Sequence, residues 1–395
     1  MKKFHFFGAI ILLICILTAC KSEQAGSDKE ETTKKPQSYK IGVIYSKTGS
    51  ASPLGEPEWN ATLLLEEEIN AGGGIDGVSV EIIFADDESS QEKAIEEMNR
   101  FIHDENVLLV LGSSTTGASL AMKGLAMENE VPMIAAAEAS QLVEPAEEAK
   151  WVFKTPHSNV HAVTRIYIHL QEEGIKKIAT LTDSNAYGAA GLEKLEELAD
   201  EYNIEIMTSE SYHTNDTDMS AQLTKIKKSG AEAVIVWGTN PGPAIIAKNM
   251  KELGIDLHYI GSHGIANHKF IELAEGGAEG VVIPTGKLLV IDQIVQNDPQ
   301  YEIITKFYNN YTKKFKGEEP TQFGSYGYDN VLLAVEAIKA AGADRAEIRD
   351  YLENKIKDFI ATTGKFTFSK NDHNGLEAES MVLAEVKDGK WVLKE

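Results

Sequence analysis

The sequence predicts an α/β protein of two lobes, each built on a sheet of mostly parallel strands, with a cleft between them. Three observations carry this. From residue 39 onward, short apolar runs alternate with segments of helical period, the rhythm of βαβ units. That rhythm restarts after about residue 157, so there are two such series in sequence. The C-terminal third then reads as completing both lobes rather than as a third domain. A chain of 395 residues also suits two domains by length alone.

The elements follow in order. Residues 39–45 (YKIGVIY) form a buried strand, and a helix over 58–70 places Ala61, Leu64, Leu65 and Ile69 on one face. A strand at 80–84 precedes a helix at 90–103, where Ala94, Met98, Phe101 and Ile102 recur at helical spacing. A strand at 107–111, a helix from about 117 to 129 and a strand at 132–135 close the first series. The second series has helices at 161–173, 191–201, 220–229, 243–253 and 268–273. Its strands are 178–182, 204–207, 233–237, 258–260 and 280–283. In the last third, 298–317 and 328–341 read as helices, and 364–368, 381–385 and 390–393 as strands.

The N-terminus is separate from this core. Met1-Lys2-Lys3 precedes an apolar run from Phe4 to Ala19, the pattern of a secretion signal. The run falls short of the roughly 20 apolar residues that span a bilayer. It ends in Leu17-Thr18-Ala19-Cys20, which is similar to the lipobox of bacterial lipoproteins. Cys20 is the expected lipidation site, and residues 1–19 the removed signal. Residues 20–38 are polar and without a large aliphatic or aromatic side chain, a flexible tether. Cleavage would leave Cys20 as the single cysteine, since Cys15 lies in the signal, so the mature fold relies on its core rather than on a disulfide. The expected location is the outer face of the cell membrane.

The net charge of −23 excludes a nucleic-acid footprint, which is basic. Among enzyme signatures the chain lacks a P-loop, a GxSxG elbow, HExxH and a GxGxxG fingerprint. Its histidines lack metal-ligand spacing. No catalytic residue, metal or cofactor is expected.

Eight stretches then carry a resemblance: IGVIYSKTGSASPLG (41–55), EINAGGGIDG (68–77), FADDESSQEKA (84–94), LGSSTTGASLA (111–121), VPMIAAA (131–137), DSNAYGAAG (183–191), VWGTNPGPA (236–244) and YGYDNVLLAVEAIKAA (326–341). In this order they make the chain similar to the type I periplasmic binding proteins of the leucine/isoleucine/valine class, the extracytoplasmic solute-binding proteins of ABC importers. The resemblance implies two Rossmann-like lobes joined by a three-strand hinge. It implies lobe 1 at 39–157 with 285–376 and lobe 2 at 158–284 with 377–395. It also implies a monomer that delivers a small ligand to ABC permease subunits.

Candidate ligand residues combine both kinds of reading. Thr115, Thr116 and Gly117 open a helix after a strand, where backbone N–H groups and hydroxyls attract an anion. Thr115 at that place also reads as a simple helix cap. The resemblance assigns the ligand carboxylate to this turn and to the next strand end, at Ala137 and Ala139, with Ser140 adjacent. It places Tyr187, Asn240 and Phe323 in the pocket, Phe323 just before a helix, and Leu54 where an aromatic is common. Trp59 reads as core.

His263, in Gly261-Ser262-His263-Gly264, stands where the resemblance implies an acid that pairs with a ligand α-ammonium. A neutral histidine stabilises a buried cation weakly. A small carboxylate without an ammonium, an aromatic acid or branched keto acid, is therefore favoured. The alternative is a hydrophobic amino acid whose ammonium is met by another acid, Glu138 or Asp183. A sensory binding protein feeding a receptor would share both fold and ligand.

Overall fold

The computed structural model describes residues 36–394. The signal segment, Cys20 and most of the 20–38 tether lie outside the described residues. The first series forms β1 (Ser38–Tyr45), α1 (Ser52–Ala71), β2 (Ser79–Asp86), α2 (Gln91–His103), β3 (Leu109–Gly112), α3 (Thr116–Glu128), β4 (Met133–Ala135) and β5 (Val152–Lys154). Its five strands lie in the order β2-β1-β3-β4-β5, all parallel.

The second series forms α4 (Asn159–Glu172), β6 (Lys177–Asp183), α5 (Ala186–Ala199), β7 (Glu205–Tyr212), α6 (Ser220–Lys228), β8 (Ala233–Trp237), α7 (Gly242–Glu252), β9 (His258–Gly261), α8 (His268–Leu273) and β10 (Val282–Thr285). The last third adds α9 (Tyr301–Lys314), α10 (Gln322–Ala341), α11 (Arg345–Lys355), β11 (Phe359–Ile360), β12 (Lys365–Phe366), β13 (Val382–Lys387) and β14 (Lys390–Lys394). The second sheet runs β14-β13-β10-β9-β8-β6-β7, with β13 and β14 antiparallel on one edge. The fold is thus the two-lobed, parallel-rich α/β architecture expected.

Both sheets carry an apolar layer on each face, which is why the strands read as continuous apolar runs rather than as alternating ones. In lobe 1, α2 is capped by Ser90, whose hydroxyl accepts from the Lys93 amide. It lays Phe101 on the sheet directly over Gly42, where any Cβ would meet the ring at 2.4 Å. Burying such a side chain contributes about 1.5–3 kcal/mol.

Several element limits differ from the sequence reading. The first helix starts at Ser52, with Pro53 in its first turn and Pro57 inside it. α10 starts at Gln322, so Phe323 lies within the helix rather than before it. This helix is buried on nearly every side along its first half, so its start carries no amphipathic signal. Residues 364–368 contribute only β12, paired with β11 in a hairpin apart from both sheets. The short β5 and the polar-faced α11 had no expectation.

The chain changes sheet three times, between β5 and α4, between β10 and α9, and between β12 and β13. Side chains tie two of these crossings together. His157 Nε2 lies 2.7 Å from Ser380 Oγ. Ser158 Oγ donates to Asn374 Oδ1 at 2.9 Å, and Asn374 Nδ2 donates to the Pro156 carbonyl at 2.9 Å.

Candidate functional site between the lobes

The carboxyl ends of the strands of both sheets face a common cleft, the usual ligand position of open α/β sheets. A cavity of about 320 Å³ lies there, at the lower end of the range for small-molecule sites, roughly 300–1,000 Å³. Lobe 1 lines it with the turns after β1, β2, β3 and β4 and with Phe323. Lobe 2 contributes Asn185, Ala186, Tyr187, Thr214, Asn215 and Thr239.

The turn after β3 is shaped by Gly112. Its φ is +114°, and a Cβ there would sit 1.9 Å from the Ile44 carbonyl oxygen, so the chain can swing outward only with glycine at this position. Ser114, Thr115, Thr116 and Gly117 then line the cavity. Thr115 is the N-cap of α3, its hydroxyl oxygen accepting from the Ala118 amide at 3.4 Å. Capping and cavity lining therefore coincide. The cap oxygen's own proton remains available, beside the positive end of the helix dipole.

After β4 the chain stays extended, and side chains alternate between faces. Ala136 and Glu138 face the cavity, whereas Ala137 packs into the core behind the sheet and Ala139 is fully buried. The expected pair is thus displaced by one residue, which in extended chain means the opposite face. Ser140 opens a short 3₁₀ turn, and its amide donates to Asn159 Oδ1 at 3.0 Å; it does not line the cavity. Thr239 lines the cavity in place of Asn240, whose amide donates to Asn267 Oδ1 at 3.2 Å. Leu54, Thr115, Thr116, Gly117, Tyr187 and Phe323 are brought together at the cavity wall. Trp59 packs on Phe84 with the rings tilted by 31° and their centroids 4.5 Å apart.

His263 lies one layer below. Its ring meets those of Tyr187 and Trp237 edge-on, at 6.1 and 5.8 Å. Nε2 stands 3.3 Å from the His157 carbonyl and 3.4 Å from Glu138 Oε2. Both neighbours are acceptors, so Nε2 carries the proton. Burial, aided by the nearby Lys154 ammonium, lowers its pKa to about 3. The ring is therefore neutral, so its 3.4 Å approach to Glu138 Oε2 is not an ion pair, and its Nε2 hydrogen bond goes to the His157 carbonyl.

Three buried acids and one buried cation surround the cavity floor. Glu138, pushed up to about 7 by burial and opposed by Tyr187, Lys154 and Tyr326, presents Oε1 without a hydrogen-bond partner. Lys154 Nζ donates to the Glu138 carbonyl at 3.0 Å and to the Pro156 carbonyl at 2.8 Å; burial lowers its pKa to about 7. Glu58 is raised well above the carboxylate range by burial, and it accepts from the cavity-lining Ser114 hydroxyl. Asp87 accepts from Ser46 Oγ at 2.7 Å and from Ser113 Oγ. Of this group, sequence reading raised only Glu138, as a substitute acid. Ser114, adjacent to Thr115 in the same turn, was the other legible member. Asp183 is held by Thr214 Oγ1 at 2.9 Å and does not line the cavity.

A family model described as periplasmic binding protein matches residues 38–390. The chain belongs to that family. Within it the chain is of the leucine/isoleucine/valine-binding class: the Leu/Ile/Val-binding protein homolog 2 of Brucella abortus (strain 2308) is 25% identical over 355 residues, covering 89% of this chain and 92% of the relative. An extracellular ligand-binding receptor from Rhodopseudomonas palustris HaA2 superposes with a TM-score of 0.84 at 28% identity, covering 90% of this chain and 99% of the other. A branched-chain amino acid transporter substrate-binding protein from Streptococcus pneumoniae, in complex with isoleucine, superposes with a TM-score of 0.79 at 27% identity, covering 90% and 99%. Periplasmic binding proteins are extracytoplasmic solute-binding proteins rather than enzymes. Among the described residues, no helix is long and apolar enough to cross a membrane.

Proposed function

We propose that this periplasmic binding protein is the lipid-anchored substrate-binding component of an ABC importer. It takes a small carboxylate, an aromatic acid or a branched keto acid, in the cavity between its lobes. The observation that carries the ligand class is the charge balance of the floor. Glu138 already lies in the field of Lys154, whose Nζ donates to its main-chain carbonyl, and the expected ammonium-pairing position holds a neutral, buried His263. A ligand ammonium would add a second cation to one carboxylate. The ligand carboxylate goes to the Thr115–Gly117 turn, where amides and hydroxyls meet it without a counter-ion. With this goes the division into lobes 39–157 with 285–376 and 158–284 with 377–395, closing on the ligand about the three crossings.

One observation favours a second reading. Glu138 lines the cavity, and its Oε1 is buried without a hydrogen-bond partner among the described residues, which suits the ammonium of a hydrophobic amino acid, the kind of ligand named for the relatives.

Calorimetry with benzoate, 2-oxoisocaproate, leucine and phenylalanine separates the two. Binding of the acids but not of the amino acids upholds the first reading; the reverse replaces it with the second. Scattering should show compaction at saturating ligand, and an unchanged radius refutes closure. For the anchor, Cys20→Ala should lose labelling by a fatty-acid probe and membrane retention. Equal labelling of both proteins removes it. Permease and ATPase genes beside this one would support import, and a neighbouring receptor kinase would support sensing.

A further inference from the structure

Glu138 does more than balance Lys154. β3 and β4 pair in parallel with Leu111 beside Ile134. Beyond this pairing β3 leads into the Thr115 turn and β4 into the stretch that carries Glu138. The anion turn and Glu138 are therefore neighbours on one wall, and both line the cavity. A ligand carboxylate held at the turn stands next to a second carboxylate, with like charges opposed.

The Glu138 side chain is more than nine-tenths buried. His263 Nε2 stands 3.4 Å from Oε2, while Oε1 is shielded from solvent and makes no hydrogen bond among the described residues. A buried acceptor left empty is costly, and native structures fill it. From the protein side the carboxylate meets the Tyr187 and Tyr326 hydroxyls and the edge of His263, and its remaining side is the cavity that Glu138 lines. We infer that Glu138 is a specificity-determining residue that accepts a hydrogen bond from a hydroxyl carried by the ligand, so that the protein selects hydroxy acids over acids lacking a donor. A hydroxyl gives the Glu138 carboxylate a donor from the cavity side and separates the two carboxylates without adding charge beside Lys154. The inference rests on the carboxylate reading above and narrows it, favouring a hydroxylated aromatic acid over an unsubstituted one and ranking a keto acid below its hydroxy counterpart.

The test uses two near-isosteric sets, benzoate against 4-hydroxybenzoate, and 2-oxoisocaproate against 2-hydroxyisocaproate and leucine. Calorimetry is run on the whole mature chain, wild type, Glu138→Leu and Glu138→Gln, with thermal unfolding to verify folding. In at least one set the hydroxylated acid should bind wild type about ten- to a hundredfold more tightly than its donor-free partner, the worth of a hydrogen bond to a charged acceptor. Glu138→Leu should erase that preference. Glu138→Gln keeps a neutral acceptor oxygen and should retain part of it, which maintains the test if the leucine variant does not fold. Equal binding within both sets, or a preference that survives in Glu138→Leu, overturns the inference while leaving the carboxylate reading intact. Leucine binding more tightly than 2-hydroxyisocaproate in a Glu138-dependent way assigns the acceptor to an ammonium and overturns the hydroxyl. Failure of every acid and of leucine to bind overturns the carboxylate reading itself, and the inference with it.

Discussion

The two walls of the cleft are built differently. Lobe 1 presents charge and backbone: the capped turn of α3, and behind it Glu138, Lys154, Glu58 and Asp87, all buried. Lobe 2 lines the cavity with neutral groups, the Asn185, Thr214, Asn215 and Thr239 side chains and Tyr187, which packs with His263 and Trp237 edge-on or tilted, and keeps one acid, Asp183, behind Thr214. The contrast teaches where recognition resides. Charge must be desolvated and compensated before a ligand arrives, so it sits on the wall whose groups are held by many internal hydrogen bonds. In the proposed closure the neutral wall follows, contributing shape and the exclusion of water.

The largest test of this contrast is Trp237→Ala. The indole is fully buried in lobe 2 and lies against Gly191, where a Cβ would meet the ring at 2.4–2.5 Å. Its loss should cost about 3–5 kcal/mol in denaturant unfolding. A cost under 1 kcal/mol would show that the aromatic stack does not hold the neutral wall.

Next comes pH. Glu138 has its pKa raised from 4.5 to about 7 in the fold. An acid raised in this way stabilises the fold fully below 4.5 and loses that contribution as pH rises through 7. Buried His161, lowered to about 4, acts in the opposite direction, destabilising the fold as pH falls below 6.5. The informative quantity is therefore the difference in unfolding midpoint, wild type minus Glu138→Gln. It should fall from pH 4.5 to 7 and stay level above. A difference independent of pH would mean that lobe 1 does not hold Glu138 in a charge-averse environment.

A smaller effect is expected from Thr115→Val. The cap bond is worth about 0.5–2 kcal/mol of stability, and losing the hydroxyl should weaken carboxylate binding at least tenfold. Unchanged affinity in a normally folded variant would move the anion away from this turn. The smallest is Tyr187→Phe, which removes one neutral hydroxyl of lobe 2, about 0.5–1.5 kcal/mol and no more than about tenfold in affinity. If this change exceeds that of Thr115→Val, the assignment of recognition to lobe 1 is reversed.

What the sequence by itself determined is the architecture and the capped turn that opens α3. Parallel strands buried on both faces read as apolar runs, and a Thr-Thr-Gly at a helix start follows from local capping chemistry. Both signals are confined to a few consecutive residues. Tertiary structure alone decided which side chains meet. Whether residue 137 or 138 faces the cleft depends on where β4 ends, and one residue of phase exchanges core for cavity. His263 belongs to the second layer because Tyr187 from α5 and Trp237 from β8 hold its ring there. Lys154 and Glu138 become a pair only when β5 lies beside β4, with the lysine amine bonded to the glutamate's own carbonyl. Charge compensation in a buried site is a property of three-dimensional neighbours, and residues 16 apart in sequence leave no local mark of it.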